Sequence, residues 1–175
     1  MADYTFTQTP ADTAYLDANT TNTTGSAIEL GALWSETGKD LTTVVVTCKA
    51  TTDGSGSPQK IRAVVWTSTS NTNQKATTAW SSDITGGDQQ VTLTFSPSVE
   101  LSAGNLLGFE GNNPNNNYYV EIKCNASASE TGTSQYRIYT GSWESRSEGN
   151  LWMTLTLSGG ASGSTLLFPP PVAYI

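Results

Sequence analysis

The sequence predicts an all-β protein, an antiparallel β-sandwich, and three observations carry that expectation. Apolar and polar residues alternate along several runs: Val91, Leu93 and Phe95 against Thr92 and Thr94, then Leu151, Met153, Leu155 and Leu157 against Trp152, Thr154 and Thr156. Successive side chains of a strand point to opposite faces, so this spacing puts one face in a core and the other in water. No stretch of helical length repeats apolar residues at i, i+3, i+4 and i+7. The intervals between runs are filled by Gly, Asn, Asp, Ser and Pro, which supply the backbone conformations of turns.

Taken in order, residues 1–27 are polar and rich in Thr and Asn, with Tyr4, Phe6, Tyr15 and Leu16 as scattered apolar points. They are expected to form an extended N-terminal arm. A sandwich domain is expected over 28–158. Its strands are predicted at 28–34, 41–50, 60–67, 77–83, 91–95, 105–110, 118–126, 135–140 and 151–157, with starts recurring every 13–19 residues. That spacing is a little wider than the roughly 8–12 residues of a regular sandwich. Asp53-Gly54-Ser55-Gly56-Ser57-Pro58 is expected to join two strands as a hairpin, and Gly86-Gly87-Asp88 and Asn112 to Asn117 are expected as turns or loops.

Cys48 shares its strand phase with Val44 and Val46, and Cys124 shares its phase with Val120 and Ile122. Both are expected in the core as free thiols acting as small hydrophobes. A jelly roll is preferred to an immunoglobulin-type sandwich. Trp66 falls on one strand face with Arg62 and Val64, and no tyrosine corner precedes Cys124.

From Gly159 the composition changes. Gly159 to Ser164 reads as a flexible linker, followed by Thr165, Leu166, Leu167, Phe168, Pro169, Pro170, Pro171, Val172, Ala173, Tyr174 and Ile175. Three consecutive prolines fix a polyproline II segment that cannot enter the middle of a sheet. The stretch carries no charged side chain, and left in water it would be an aggregation hazard. Residues 159–175 are therefore expected to be a C-terminal arm that docks on a neighbouring subunit, the alternative being that it folds back over its own domain.

The bulk numbers narrow the function. In 175 residues the net charge is −7, with only eight Lys plus Arg. Nucleic-acid binding needs a basic stripe to displace counterions, so no nucleic-acid partner is expected. No apolar run approaches the ~20 residues of a spanning helix, so no membrane partner is expected. The opening Met1-Ala2-Asp3-Tyr4 lacks the basic region and apolar core of a secretory signal, so synthesis in a cytoplasm without export is expected.

Catalysis is not expected. Histidine is absent, which removes the commonest general base and metal ligand. Glu110, Glu121, Glu144 and Glu148 could form a glycosidase-type carboxylate pair only if two converge, which spacing does not indicate. Asp53, and Glu110 with Asn112 to Asn117, offer oxygen ligands for calcium but lack the spacing of an EF-hand. No cofactor and no metal are expected. Among the aromatics, Trp143 lies in a loop-like stretch and Trp80 and Trp152 fall on outward phases. Trp143, Tyr118 and Tyr119 form a candidate glycan platform, although such rings equally suit a subunit interface.

The runs Ile61-Arg62-Ala63-Val64-Val65-Trp66, Thr77 to Ser82 and Val91 to Gly104, ending in Leu101-Ser102-Ala103-Gly104, carry a resemblance across roughly 41–126. It resembles the jelly-roll accessory modules, similar to carbohydrate-binding modules, of surface proteins and phage virion proteins. With its Thr, Ser, Asn and Gly content and arm-like ends, the chain looks like a structural protein of a tailed bacteriophage, of the capsid decoration (cement) type. The resemblance implies a location on the virion surface, with the major capsid protein or other virion subunits as partners. It also implies a homo-oligomer, a trimer being favoured. Tyr4, Phe6, Leu166, Leu167, Phe168, Pro169, Pro170, Pro171, Val172, Tyr174 and Ile175 would form the interface. The alternative is a carbohydrate- or receptor-binding module of a phage fibre.

Overall fold

The structure is a computed structural model that describes residues 2–5, 13–18, 27–29, 39–51, 59–67, 73–102, 105–112, 120–125, 136–139, 143–145 and 153–158. Twelve strands are described: β1 Ala2–Thr5, β2 Thr13–Ala18, β3 Ala27–Glu29, β4 Asp40–Ala50, β5 Ile61–Trp66, β6 Gln74–Thr77, β7 Gln89–Glu100, β8 Leu106–Gly111, β9 Val120–Asn125, β10 Tyr136–Tyr139, β11 Trp143–Ser145 and β12 Met153–Ser158. Their pairings are all antiparallel. No helix occurs among the described residues.

The strands make two sheets. One runs β1-β12-β4-β9-β2 with β7 also paired to β4, and the other runs β11-β10-β3-β8-β5-β6. β4 is the hub of the first. Val44 faces Leu155 of β12 and Leu93 of β7, so those two strands lie on opposite edges of β4. Further along, Cys48 faces Gln89 of β7 and Ile122 of β9, which puts β9 on the same edge as β12. Within the N-terminal 27 residues, β1 pairs with β12 and β2 with β9, so this segment contributes two strands to the first sheet.

Both sheets contribute to one core. Val44, Val46, Cys48, Leu93, Phe95, Ile122, Leu155 and Leu157 of the first sheet cluster with Ile61, Ala63, Val65, Leu107 and Phe109 of the second. The period-two phases predict these positions, and one residue breaks the period for a local reason. Leu41 and Val44 are both buried although they are three residues apart. Thr42 is the extra residue of a β-bulge: both the β12 and the β7 registers shift there, and its hydroxyl donates to the Thr156 carbonyl at 2.9 Å. The bulge resets the phase by one residue, returning Leu41 to the core face.

A second cluster of Val64, Trp66 and Leu106 lies on the other face of β5 and β8. All three are fully buried, so β5 is covered on both faces from Ala63 to Trp66. That accounts for the unbroken apolar run Ala63-Val64-Val65-Trp66, since a strand covered on both sides has no polar phase.

Boundaries differ from expectation in three places. The strand predicted over 77–83 lies at Gln74–Thr77, β7 extends to Glu100, and the region predicted as 135–140 holds β10, with β11 following. Gly86, at φ 75°, sits in the predicted turn before β7, where a side chain would be strained. The hairpin predicted at 53–58 and the C-terminal segment 159–175 lie outside the described residues, as does the side chain of Cys124.

Cys48 is a free, buried thiol, as its phase predicts. Burial, and secondarily the negative charge of Asp88, push its pKa from 9.0 up to about 12. The folded protein therefore holds this proton more tightly than the unfolded chain. The resulting stability is intact below pH 9 and is lost as the pH rises from 9 towards 12. Denaturant unfolding across that window should show a loss of about 1.4 kcal/mol per pH unit in the wild type that Cys48→Ala removes. Parallel pH profiles for the two proteins would contradict the assignment.

Candidate functional site

The described surface carries one organised constellation, on the face of β5 turned away from the main core. Arg62, Val64 and Trp66 share that face, opposite Glu110, Gly108 and Leu106 of β8. Arg62 donates to Glu110 Oε2 from Nε at 2.8 Å and from Nη2 at 2.7 Å. Gln74 Nε2 donates to the other carboxylate oxygen at 2.8 Å. Glu110 is 7% exposed, so a buried anion has its charge matched and both oxygens bonded.

The chain beyond β6 then follows β5 in an unusual way. The N–H groups of Thr78, Ser81 and Ile84 donate to the carbonyls of Ala63, Ile61 and Gln59. In return the N–H of Ala63 donates to Thr78 Oγ1 at 3.0 Å and that of Ile61 to Ser81 Oγ at 3.1 Å. Hydroxyl oxygens thus stand where strand carbonyls would accept. The two hydroxyls pass their own protons to the carbonyls of Ala79 and Ser82 at 2.9 and 2.7 Å. Three residues of this segment advance for every two of β5, and the surplus bulges outward. Ser and Thr side chains compete in this way with regular backbone pairing, which is why the expected strand is replaced.

The bulge presents Trp80. At 39% exposure it is the large apolar side chain that the described residues leave in water. The Arg62 guanidinium lies 4.8 Å from the centre of its ring, in cation–π contact. On the same strand face as Arg62, Lys60 pairs with Asp83 at 3.3 Å. The backbone of Lys60 is tied to Asn112 in both directions, through the Asn112 side-chain oxygen and N–H. An indole is thereby held over an arginine whose own position is set by Glu110.

The residues singled out from the sequence fall elsewhere. Trp143 opens β11 and pairs with Tyr139 at the far end of the second sheet, with β10, β3 and β8 between β11 and β5. Tyr118, Tyr119, Phe6 and residues 166–175 lie outside the described residues, and Tyr4 is paired in β1 opposite Leu155. Of the four carboxylates, Glu110 lies on the outer face of the second sheet. Glu121 belongs to the first sheet, out of phase with buried Val120 and Ile122, and pairs with Lys49 at 2.9 Å. These two do not converge. Of the proposed calcium ligands, Glu110 serves Arg62 and Gln74, and Asn112 serves Lys60. Among the described residues no three His, Cys, Asp or Glu side chains gather in a metal-binding group, and no helix is long and apolar enough to cross a membrane.

Sequence reading placed Trp80 outward but missed its supports. The available signal was a charge in phase with buried apolar residues: Arg62 with Val64 and Trp66, and Glu110 with Leu106. A buried charge needs an opposite partner. Comparison with family models, with curated proteins and with solved structures finds no match for this chain. Among the described residues the geometry is all-β, two antiparallel sheets with Trp80 exposed over Arg62.

Proposed function

We propose that the chain is a structural virion protein, a capsid decoration (cement) protein with a jelly-roll body, which binds the major capsid protein and neighbouring copies through its termini. The observation that best supports this reading is the edge of the first sheet. Among the described residues β7 pairs with β4 alone, so its other edge carries no strand. An edge of unpaired N–H and C=O groups is a template for an added strand.

The C-terminal tail is suited to that edge. Ser158 of β12 faces Asp40, which in turn faces Glu100, so the chain leaves the sheet level with the end of β7. The Gly159 to Ser164 linker can span about 20 Å, against about 14 Å for three strand spacings. That reach suffices for the edge of the chain's own β7; in the proposed assembly the tail instead lies along the matching edge of an abutting copy, antiparallel to it. Thr165 to Phe168 would add the strand, Pro169 to Pro171 would end it, and Leu166, Leu167 and Phe168 would leave water. Closed repetition of this exchange gives a ring, with a trimer favoured.

Deletion of 159–175 should leave far-ultraviolet circular dichroism and cooperative unfolding unchanged while abolishing oligomers and attachment to capsids. Native mass measurement and co-sedimentation with particles check both. A truncated chain that still assembles would overturn the reading.

A further inference from the structure

We infer that the edge of β7 accepts the C-terminal tail in one phase only, with Leu166 and Phe168 turned inward and Leu167 turned outward. This rests on the docking proposed above and names the side chains that select it.

The backbone groups of β7 can be assigned to its two edges. The N–H of Ala50 donates at 3.2 Å to the carbonyl of Gly86, in the turn leading into β7. Val44, Val46, Cys48 and Ala50 share one buried phase of β4, and alternate residues of a strand direct their backbone groups to the same side. Their β7 partners Leu93, Val91 and Gln89 therefore bond back to β4. The intervening phase, Gln90, Thr92 and Thr94, turns its N–H and C=O groups to the other edge, and all three side chains are exposed. That edge also has a defined end. Thr94 faces Thr43 while Val99 faces Leu41, so β7 advances five residues opposite two of β4 and its surplus loops out. Pro97, within the surplus, has no N–H to offer. The regular edge is therefore Gln89 to Thr94.

Two phases are open to an added strand, and a slip of one residue exchanges its faces. The inward side of this edge is apolar and incompletely covered. Val91 has the core phase but is only partly buried, as is Ala76 of β6, the strand of the second sheet that approaches β7. A strand added beyond β7 lays its inward side chains over this seam. Running antiparallel from the Thr94 end, the tail sets Thr165 opposite Thr94, Leu166 opposite Leu93, Leu167 opposite Thr92 and Phe168 opposite Val91. Two large apolar side chains then close the seam, and Leu167 lies along Thr92 on the outer face, covered on one side. The other phase turns Thr165 and Leu167 inward and leaves Leu166 and Phe168 outside, which buries less apolar surface. Termination agrees with the first phase. Pro169 would follow opposite Gln90, whose outward carbonyl needs an N–H that proline lacks.

The test is sedimentation of the full-length chain over a concentration series, with Leu166→Ser, Leu167→Ser and Phe168→Ser compared with the wild type. The dissociation constant of the assembly should rise about tenfold or more in Leu166→Ser and in Phe168→Ser, and less than about threefold in Leu167→Ser. Circular dichroism should match for all four proteins, since the substitutions lie in the tail. A Leu167→Ser effect as large as those of its neighbours would overturn the inference, because the faces would then be exchanged or unselected. So would three variants that assemble as the wild type does. Neither result touches the docking itself, which falls only if the chain lacking 159–175 still assembles.

Discussion

Phe109→Ala is expected to destabilise the protein by about 4 kcal/mol, the middle of the range for a buried aromatic. Phe109 is fully buried in β8 and belongs to the core shared by the two sheets. Its direct cross-strand neighbour is Ala63 of β5, a small side chain that leaves the ring to fill the space between sheets. Removing the ring leaves two alanines face to face. β8 is hydrogen-bonded to β5 on one side and β3 on the other, so the backbone cannot move in to close the cavity. Since small domains are stable by only about 5–15 kcal/mol, a large share of the total is lost. Guanidinium unfolding should show a lower midpoint at an unchanged slope. As the contrast, Thr92→Ala on the exposed phase of β7 should change stability by less than about 0.5 kcal/mol.

The second large effect is at Glu110. Glu110→Ala is expected to cost about 3 kcal/mol, the lower end for breaking a buried ion pair. Two donors lose their acceptor at once, the Arg62 guanidinium and the Gln74 amide. The Arg62 side chain is 28% exposed and can turn partly to water, which holds the loss below the values seen for a sealed pair. Glu110→Gln keeps the shape and one acceptor, and should lose about half as much. Releasing Arg62 also frees the face of Trp80, so indole emission should shift to the red in Glu110→Ala. A stability change under about 0.5 kcal/mol would mean that the network contributes nothing net.

Much of the core was readable because its determinants are local. Alternation in Val44-Val45-Val46-Thr47-Cys48 and in Val91-Thr92-Leu93-Thr94-Phe95 needs no partner strand to predict which side chains face inward, and those side chains are buried, Val91 only partly. What escaped depends on contacts distant in sequence. The bulge at Thr42 is set where two partner strands shift register together. The stretch Thr77-Thr78-Ala79-Trp80-Ser81-Ser82 has the composition of a strand, and only its position beside β5 makes the hydroxyls of Thr78 and Ser81 better acceptors than its carbonyls. Arg62 and Glu110 lie 48 residues apart and meet because β5 pairs with β8. Trp143 was favoured over Trp80 because glycines and serines flank it. Flanking residues indicate a turn but say nothing of what lies under a ring, and under Trp80 it is Arg62.

The proposed role depends on whether the edge of β7 that the described residues leave open receives a strand. Amide hydrogen exchange of the assembled full-length protein, compared with the chain lacking 159–175, measures this directly. The account predicts that one short stretch of outward-facing β7 amides, of the length that Thr165 to Phe168 can cover, exchanges slowly in the assembly and rapidly in the truncated chain, while β4 and β5 are protected in both. Equal exchange along β7 in the two proteins would contradict it.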